Sequence, residues 1–355
     1  MQSSVPAANR KPKDTEFPGV VARPMGKFTT KQDYHYQTLR CNVDLLHVIQ
    51  LGITLFSEKG DVLPAHGDNA LSNTPYQNSL IPCPTTWQFN FRFSIQHDMH
   101  NQESIDFLAG VGMNMEMHEQ NGIDPQEFGA LLISSGLVLT DDVKWISFHS
   151  GYDFGYLVKI MLCGPLPDEE GEYRRLLSIF FPAIYDIKFM MKSAQKTQMV
   201  NDSPLSTVAA TILNNLGTKS GLQDLADELN LKRVGTAHQA GSDSLITGRI
   251  FFAVKERIFN GTIDDAKYLG QVWGLHELSE SRDGSSLTRF DTQTTPNLNG
   301  ATIYSTNGTP STPNTNHTGL AQTPSQQTHA NGAGIGSLTP GNGVGVFGRF
   351  GFGKG

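Results

Sequence analysis

Apolar and polar positions alternate along part of the chain and recur at helical spacing along other parts. Residues 87–95, "WQFNFRFSI", place aromatic side chains at alternate positions, which predicts a strand with one apolar face. Residues 47–56, "HVIQLGITLF", and residues 143–148, "VKWISF", are short apolar runs typical of strands, the second of a buried one. The pattern therefore predicts at least three strands in the first half of the chain.

Helix signals follow these strands. Asp124 and Pro125 supply an N-cap and a first-turn proline for a helix that runs through Ser134. Helical spacing of apolar positions predicts another helix within residues 221–231, "GLQDLADELNL". We expect further helices at residues 152–162 and 242–259.

The order of these elements indicates an α/β fold. Strands and helices alternate after a paired-strand start, which is typical of a mixed β-sheet flanked by helices on both faces. We expect the folded domain to cover residues 14–276. Two inserts rich in loop-forming residues interrupt it, at residues 64–86 and 195–220, and within the second insert residues 205–216 also fit a short helix.

The last part of the chain has a different composition. From residue 292 onward Arg349 and Lys354 are the only formal charges, among mainly Thr, Asn, Gly, Ser, Gln and Pro. Such a stretch buries too little apolar area to offset its chain entropy, so residues 277–355 are predicted to be a disordered tail. Its end, "GVFGRFGFGKG", resembles a weak RNA-contact or self-association segment, and a solvated tail is the simpler interpretation.

Charge and cysteine content narrow the functional classes. The formal net charge of −7 argues against wholesale wrapping of nucleic acid and leaves a local basic groove possible. The three cysteines have no CxxC spacing, which fits a reducing compartment without disulfides or a zinc site. The N-terminal "MQSSVPAANRKPK" lacks the apolar core of a secretory signal, and no apolar run is long enough to span a bilayer. We expect a soluble intracellular protein with no membrane partner.

Acidic residues mark a candidate metal site. Asp14 and Glu16 flank Thr15, and in an extended segment residues i and i+2 point to the same side. Two carboxylates aimed at one point are costly without a cation, and hard oxygen ligands suit Mg²⁺ or Mn²⁺. Taken alone, this pair is also consistent with a solvated turn.

Three further residues extend this pattern. Asp153 opens a helix after a buried strand, where an acid also favourably meets the helix dipole. His238 lies in a loop and Asp243 in the first turn of the last long helix, five residues later. Each has an ordinary structural interpretation, as a first-turn acid or a loop histidine. Together with Asp14 and Glu16, their order and spacing are similar to those of the DEDD exonucleases, histidine subclass.

Asp186 is a rival acid in "AIYDIKFMMK". It also follows an apolar stretch, but no histidine lies near it in the sequence. We interpret Asp186 as a structural residue that caps the following helix.

Longer runs carry a closer resemblance. "DTEFPGVVARP", "TWQFNFRF", "KWISFHSGYDFGYLVKI", "FFPAIYDIKFMMKS" and "HQAGSDSLITG" closely resemble the Caf/Pop-type deadenylases, the nuclease subunits of the CCR–NOT complex. The likeness covers residues 14–275 apart from the two inserts. It implies an RNase H-like fold and a poly(A)-specific 3′–5′ exoribonuclease that shortens messenger RNA tails and releases 5′-AMP.

The resemblance also implies roles for individual residues. Asp14, Glu16, Asp153 and Asp243 would hold two divalent ions, Mg²⁺ or Mn²⁺, that clamp the attacking and leaving oxygens. His238 would orient or deprotonate the attacking water. Side chains beside these motifs are weaker candidates for lining the site of the 3′-terminal nucleotides: Phe17, His149 and Tyr152.

Partners and location follow from the same resemblance. The expected partners are the single-stranded poly(A) 3′ end, the NOT scaffold subunit and a second deadenylase of the complex. We expect a cytoplasmic and nuclear location.

The chain departs from the family pattern before Asp14. The family leads into the acid pair with an apolar strand, whereas residues 9–13 read "NRKPK", with three charges and a proline that lacks the ladder donor. We therefore predict that the first core strand is missing, through a truncated gene model or an alternative start. This leaves an active deadenylase and a weakened nuclease that serves as an adapter as rival functions. A DNA-proofreading exonuclease is disfavoured by the long family runs and the absence of a polymerase domain.

Overall fold

A computed structural model describes residues 10–28, 30–62, 85–200 and 205–276. One five-stranded mixed sheet lies at its centre, with the order β3-β2-β1-β4-β5. β1–β2 and β2–β3 are antiparallel, whereas β1–β4 and β4–β5 are parallel. The strands are β1 Arg10–Glu16, β2 Gln50–Thr54, β3 Thr86–Asn90, β4 Lys144–Ser147 and β5 Ile184–Asp186. The predicted α/β class with a mixed sheet is confirmed.

The prediction that the first core strand is missing is wrong. β1 covers Arg10–Glu16 and is the central strand of the sheet. Its first three residues pair with β4, in the register Pro12↔Ile146, and its last four pair with β2, in the register Lys13↔Ile53. Pro12 therefore pairs with a neighbouring strand on one side only. A proline, which has no N–H to donate, is tolerated at such a position. Strand pairing uses main-chain groups, so the polar sequence does not prevent it.

Eleven helices surround the sheet in the described residues. They are α1 Lys31–Leu45, α2 Gln102–Gly110, α3 Met115–Asn121, α4 Pro125–Ser134, α5 Gly151–Leu162, α6 Glu170–Phe180, α7 Ile187–Val200, α8 Thr207–Leu216, α9 Leu222–Glu228, α10 Ala240–Arg257 and α11 Asp265–Tyr268. α4 begins where the sequence predicts it, because the Asp124 carboxylate accepts hydrogen bonds from the amides of Gln126 and Glu127. The predicted helices corresponding to α5, α9 and α10 are also confirmed.

The predicted loop insert at residues 195–220 is mostly helical, which corrects that prediction. α7 continues to Val200, and α8 occupies Thr207–Leu216 as the alternative helix interpretation expected. α8 forms because its buried positions recur at helical spacing, and they join α9 and α10 in one apolar cluster. Of the other insert, residues 64–84 lie outside the described part of the chain, and Thr86 already belongs to β3.

Two apolar cores cover the two faces of the sheet. Successive residues of a strand point to opposite faces, so Trp145 of β4 packs in one core and Ile146 in the other. The first core includes buried side chains of α1, α4, α5 and α6, and the second includes those of α7, α8, α9 and α10. The apolar runs predicted from the sequence therefore serve a sheet that is buried on both faces.

Both ends of the domain adjoin segments that the structure does not describe. The predicted disordered tail, residues 277–355, lies outside the described residues, as do residues 1–9. Within the described ranges, every helix is too short or too polar to cross a lipid bilayer.

Candidate active site

The two acids of β1 lie at the centre of the sheet. Asp14 pairs with Gly52 of β2, and Glu16 pairs with Gln50. Glu16 is buried, with 1% of its surface exposed, and Asp14 is half-buried. Since the strand continues to Glu16, alternate side chains of a regular strand direct both acids to one face.

α10 approaches this same point because Gly52 has no side chain. A Cβ atom on Gly52 would lie 1.7 Å from the carbonyl oxygen of Ala240, the first residue of α10. Two glutamines hold the start of the helix onto the sheet. Gln50 Oε1 accepts from the Ala240 amide at 3.3 Å, and Gln88 Oε1 accepts from the Gly241 amide at 3.1 Å. This close approach brings the first turn of α10 beside the acids of β1.

Three of the predicted site residues come together there. Glu16, His238 and Asp243 each offer a ligand atom, and these atoms all lie within 4.8 Å of one another. Asp14 and Asp153 are not members of this group among the described residues. Asp14 lies on β1, the same strand as Glu16. Asp153 accepts a hydrogen bond from Thr15, which lies between Asp14 and Glu16 on that strand.

Asp153 is anchored directly to β1. Its Oδ1 accepts a hydrogen bond from the Thr15 amide at 2.8 Å and another from the Thr15 hydroxyl. Asp153 is buried in the first turn of α5, where the helix dipole favours a negative charge. The structure therefore places the third predicted acid against the main chain between the first two.

Asp186 shapes the turn that leads into α5. Its carboxylate is fully buried and accepts from the amides of His149 at 3.0 Å, Ser150 at 3.2 Å and Trp273 at 3.1 Å. It also caps α7 by accepting from the Lys188 amide at 2.9 Å. The interpretation of Asp186 as a structural capping residue is confirmed, and its further contacts hold the backbone of His149, which has a φ of 59°.

Arg233 is a site residue that the sequence analysis missed. Its Nη1 donates to Asp243 Oδ1 and its Nε donates to Gln223 Oε1 at 2.9 Å. Burial raises the pKa of Asp243, and the Arg233 guanidinium opposes that shift. Arg233 precedes Asp243 by ten residues in a loop without periodic pattern, so only its charge near the His238 segment could have indicated it.

His238 is held in an unusual backbone conformation beside the acids. Its φ is 62°, in the left-handed region, and its ring meets the edge of Phe107 with the ring centroids 5.0 Å apart. Burial is the main cause that lowers the His238 pKa; Asp243 raises it and Arg233 lowers it further. The imidazole is therefore neutral at pH 7 and can accept a proton.

The predicted substrate contacts divide into two groups. Phe17 follows Glu16 and stacks on Tyr152, which precedes Asp153, with centroids 5.1 Å apart and planes 14° apart. This pair adjoins the acids in the chain. His149 instead binds the Lys188 ammonium through Nδ1 at 2.9 Å. Whether these residues contact substrate stays a prediction.

The donor set fits a divalent cation. Glu16 and Asp243 are buried carboxylates close to each other, and such a pair is costly without a positive charge between them. The Oδ2 atom of Asp243 is buried and has no hydrogen-bond partner among the described residues. Buried polar atoms are normally satisfied, so this oxygen is suited to a cation, and carboxylate oxygens suit Mg²⁺ or Mn²⁺.

Comparisons with known proteins agree with this geometry. A family model described as CAF1 family ribonuclease matches residues 13–127 and 132–251. "Poly(A) ribonuclease pop2" of Schizosaccharomyces pombe is 47% identical over 262 residues, which are 74% of this chain and 66% of that protein. "Probable CCR4-associated factor 1 homolog 7" of Arabidopsis thaliana is 40% identical over 263 residues, 74% of this chain and 82% of that protein. The chain thus spans slightly less than two thirds of the fission yeast relative.

Solved structures show the same fold. S. pombe Pop2p in its Mg²⁺- and Mn²⁺-bound form has a TM-score of 0.61 and 45% identity, and the match covers 75% of this chain and 90% of that one. The structure of the yeast NOT1 MIF4G domain co-crystallised with CAF1 matches with a TM-score of 0.56 and 32% identity, over 75% of this chain and 87% of that one. The RNase H-like fold class is confirmed. The family match, the identities and the shared fold together show that this chain belongs to the CAF1 family ribonucleases.

Proposed function

We propose that this chain is a poly(A)-specific 3′–5′ exoribonuclease that shortens messenger RNA tails and releases 5′-AMP. The observation that carries the proposal is the group formed by the buried Glu16 and Asp243 and the half-buried His238, whose ligand atoms lie within 4.8 Å of one another in a CAF1 family fold. The fission yeast relative named a poly(A) ribonuclease supports the choice of substrate.

The proposed site holds two divalent ions, Mg²⁺ or Mn²⁺, on Asp14, Glu16, Asp153 and Asp243. Bound ions would stabilise the negative charge that develops on the oxygens of the phosphodiester and lower the pKa of bound water. The metal-bound form of the fission yeast relative supports this cofactor. Thr15 holds Asp153 against β1, and Arg233 occupies one oxygen of Asp243, so that Oδ2 remains for a cation.

His238 is the proposed general base. Since burial lowers its pKa, the imidazole is neutral at physiological pH and takes a proton from the attacking water at a ring nitrogen. The water oxygen bonds to phosphorus while the bond to the leaving 3′ oxygen breaks, which yields 5′-AMP and a new 3′ hydroxyl. The contact with Phe107 fixes the plane of the imidazole for this transfer.

Aromatic contacts support a single-stranded substrate. Phe17 and Tyr152 form a stacked pair next to the acids in sequence, and an aromatic surface of this kind binds unpaired bases. Stacking contributes about 1–3 kcal/mol per base. We propose that this pair, with His149 as a weaker candidate, lines the site of the 3′-terminal nucleotides.

Partners and location extend the proposal. The CAF1 structure with the NOT1 MIF4G domain supports a NOT scaffold subunit as a partner. We also propose a second deadenylase of the CCR–NOT complex as a partner, and a cytoplasmic and nuclear location. Affinity purification of the tagged full chain followed by mass spectrometry, with imaging of the same tag, tests these three points.

A weakened nuclease that serves as an adapter is the weaker candidate. That alternative requires the loss of the strand that carries Asp14 and Glu16, and this strand is present as β1. All the proposed ligands and His238 are also present.

The test is a gel assay with a 5′-labelled RNA that ends in adenosines. The full chain is incubated with Mg²⁺ or with EDTA, beside the Asp153→Ala variant. We expect a metal-dependent ladder of shortened tails that the variant does not produce. No ladder from a folded chain, or equal ladders from chain and variant, would overturn the proposal, and an RNA without adenosines at its 3′ end measures specificity.

A further inference from the structure

A cleft separate from the proposed catalytic acids is lined by three lysines. This lysine cleft lies between α7, the end of α8 and the start of α9. Lys188 and Lys192 enter it from α7, and Lys219 enters from the α8–α9 connection. No carboxylate side chain is among its lining residues.

These lysines lack carboxylate partners within the described part of the chain. No Asp or Glu oxygen there lies within the 4.0 Å ion-pair distance of Lys188, Lys192 or Lys219. Lys192 Nζ donates to the amide oxygen of Gln195 at 3.1 Å, which leaves its charge uncompensated. Lys188 is buried, Lys192 is half-buried and Lys219 is exposed, and the cleft therefore carries positive charge that its lining residues do not neutralise.

Lys188 is the most deeply placed of the three. It is 7% exposed, and its Nζ donates to His149 Nδ1, a neutral acceptor, at 2.9 Å. The carboxylate of Asp186, two residues before Lys188, accepts hydrogen bonds from main-chain amides. Burial lowers the Lys188 pKa to about 8, Asp186 opposes that shift, and the neighbouring Lys192 charge adds to it. An anion in the cleft would relieve both desolvation and repulsion.

The rest of the cleft is apolar. The Phe148 ring lies 5.9 Å from Lys188 Nζ, and Leu216 and Leu225 line the wall with it. A ligand with a planar or apolar body and an anionic end matches these two surfaces.

We propose that this cleft binds a phosphate monoester carried on a planar group, of the nucleoside 5′-monophosphate class. Three ammonium groups match the two negative charges of a terminal phosphate better than the single charge of a phosphodiester. The apolar side chains beside the lysines offer contact surface to the base. The site contains none of the proposed metal ligands and therefore needs no metal for binding.

The test is calorimetric titration of the full chain with 5′-AMP in the presence of EDTA. We expect saturable binding at one site that Lys192→Gln and Lys219→Gln each weaken by at least about tenfold, because each removes a charged hydrogen-bond donor. Lys196→Gln is the matched control, since Lys196 lies one turn further along α7 and does not line the cleft. It should bind 5′-AMP like the unmodified chain.

Further ligands and variants distinguish the possible outcomes. Adenosine and inorganic phosphate should each bind more weakly than 5′-AMP, and Asp153→Asn should leave the affinity for 5′-AMP unchanged. Equal affinity for the dinucleotide ApA, which carries a single diester, would overturn the assignment to a monoester. No saturation up to about 10 mM 5′-AMP, or unchanged affinity in the lysine variants, would overturn the site itself. Because the titration contains no metal, these results are independent of whether the chain hydrolyses RNA.

Discussion

Two buried charged centres adjoin the turn between β4 and α5, and they are neutralised differently. At the candidate active site, Asp243 is paired with the Arg233 guanidinium. In the lysine cleft, Lys188 is paired with the neutral imidazole of His149. Burial disfavours both charges, raising the pKa of Asp243 and lowering that of Lys188 to about 8. Among the described residues, the acid has an oppositely charged partner within 4.0 Å, whereas Lys188 does not.

The difference teaches what each centre requires from a ligand. Arg233 occupies Oδ1 of Asp243, so the carboxylate is oriented before a cation arrives and offers Oδ2. The lysine cleft is complete only when an anion supplies the missing charge. The same turn serves both centres, because Asp186 holds the amides of His149 and Ser150 ahead of Asp153.

The largest effect should come from breaking the ion pair between Asp243 and Arg233. We expect Asp243→Asn to reduce RNA hydrolysis by at least about a thousandfold, because it removes a charged metal ligand. It should also lower the free energy of unfolding by about 3 kcal/mol, because Arg233, whose side chain is only 12% exposed, loses the carboxylate that compensates its charge. Gel assays of hydrolysis and urea unfolding measure the two effects.

The double variant Asp243→Asn/Arg233→Gln separates these two effects. It should recover most of the lost stability and none of the activity, because both buried charges are gone. Recovered activity, or stability as low as that of Asp243→Asn alone, would contradict the pairing.

A Gly52→Ala substitution should disturb the acid centre and leave the lysine cleft intact. The added Cβ would meet the Ala240 carbonyl at 1.7 Å, so α10 must shift away from β2 and carry Asp243 with it. We expect a loss of about 3 kcal/mol in the free energy of unfolding, with reduced hydrolysis. The control is Gly110→Ala in α2, where the added Cβ meets nothing within 4 Å. It should be neutral or slightly stabilising, and equal losses in both variants would show that the close approach of α10 is unimportant.

Arg233→Gln should weaken Mn²⁺ binding by roughly tenfold to a hundredfold, because the Asp243 carboxylate loses the partner that orients it. Isothermal titration with Mn²⁺ measures this without any turnover. Arg233→Lys should restore part of the affinity, and Arg249→Gln should leave it unchanged, since Arg249 donates to a main-chain carbonyl at an exposed position. Removal of a nearby positive charge would by itself strengthen cation binding, so tighter binding in Arg233→Gln would refute the orienting role.

The smallest effect concerns the pH dependence of stability that Lys188 causes. With a pKa of about 8 in the folded chain and 10.5 when unfolded, Lys188 binds fewer protons in the folded state between these values. Stability therefore rises with pH through this window, and Lys188→Met removes that contribution. Between pH 7.5 and 9.5 the stability of the unmodified chain should rise by about 2 kcal/mol relative to the variant. Urea unfolding of both proteins at the two pH values measures it, and parallel curves would mean that Lys188 is not desolvated.

Prediction from the sequence succeeded where local signals and burial agree. The α4 start at Asp124–Pro125 and the buried strand around Trp145 follow from a cap, a proline and an apolar run. It failed at β1, because the side chains of residues 10–13 argue against a central strand while main-chain pairing with β2 and β4 forms one. The loop predicted for residues 195–220 contains the end of α7, residues 195–200, and all of α8, which the alternative interpretation gives as a short helix. A loop is predicted there because polar residues interrupt the apolar positions of both helices.

The sequence by itself determined the chemical inventory of this protein. It showed four acids and a histidine at family spacing, and a strand-to-helix turn that places Asp153. Only the tertiary structure decided which groups meet. Arg233 reaches Asp243, Thr15 holds Asp153, and Lys188 and Lys219 share a cleft although thirty residues separate them in the chain. The physical reason is that capping and periodicity act over a few residues, whereas the pairing of buried charges depends on how close a helix can approach the sheet, as Gly52 allows α10 to do.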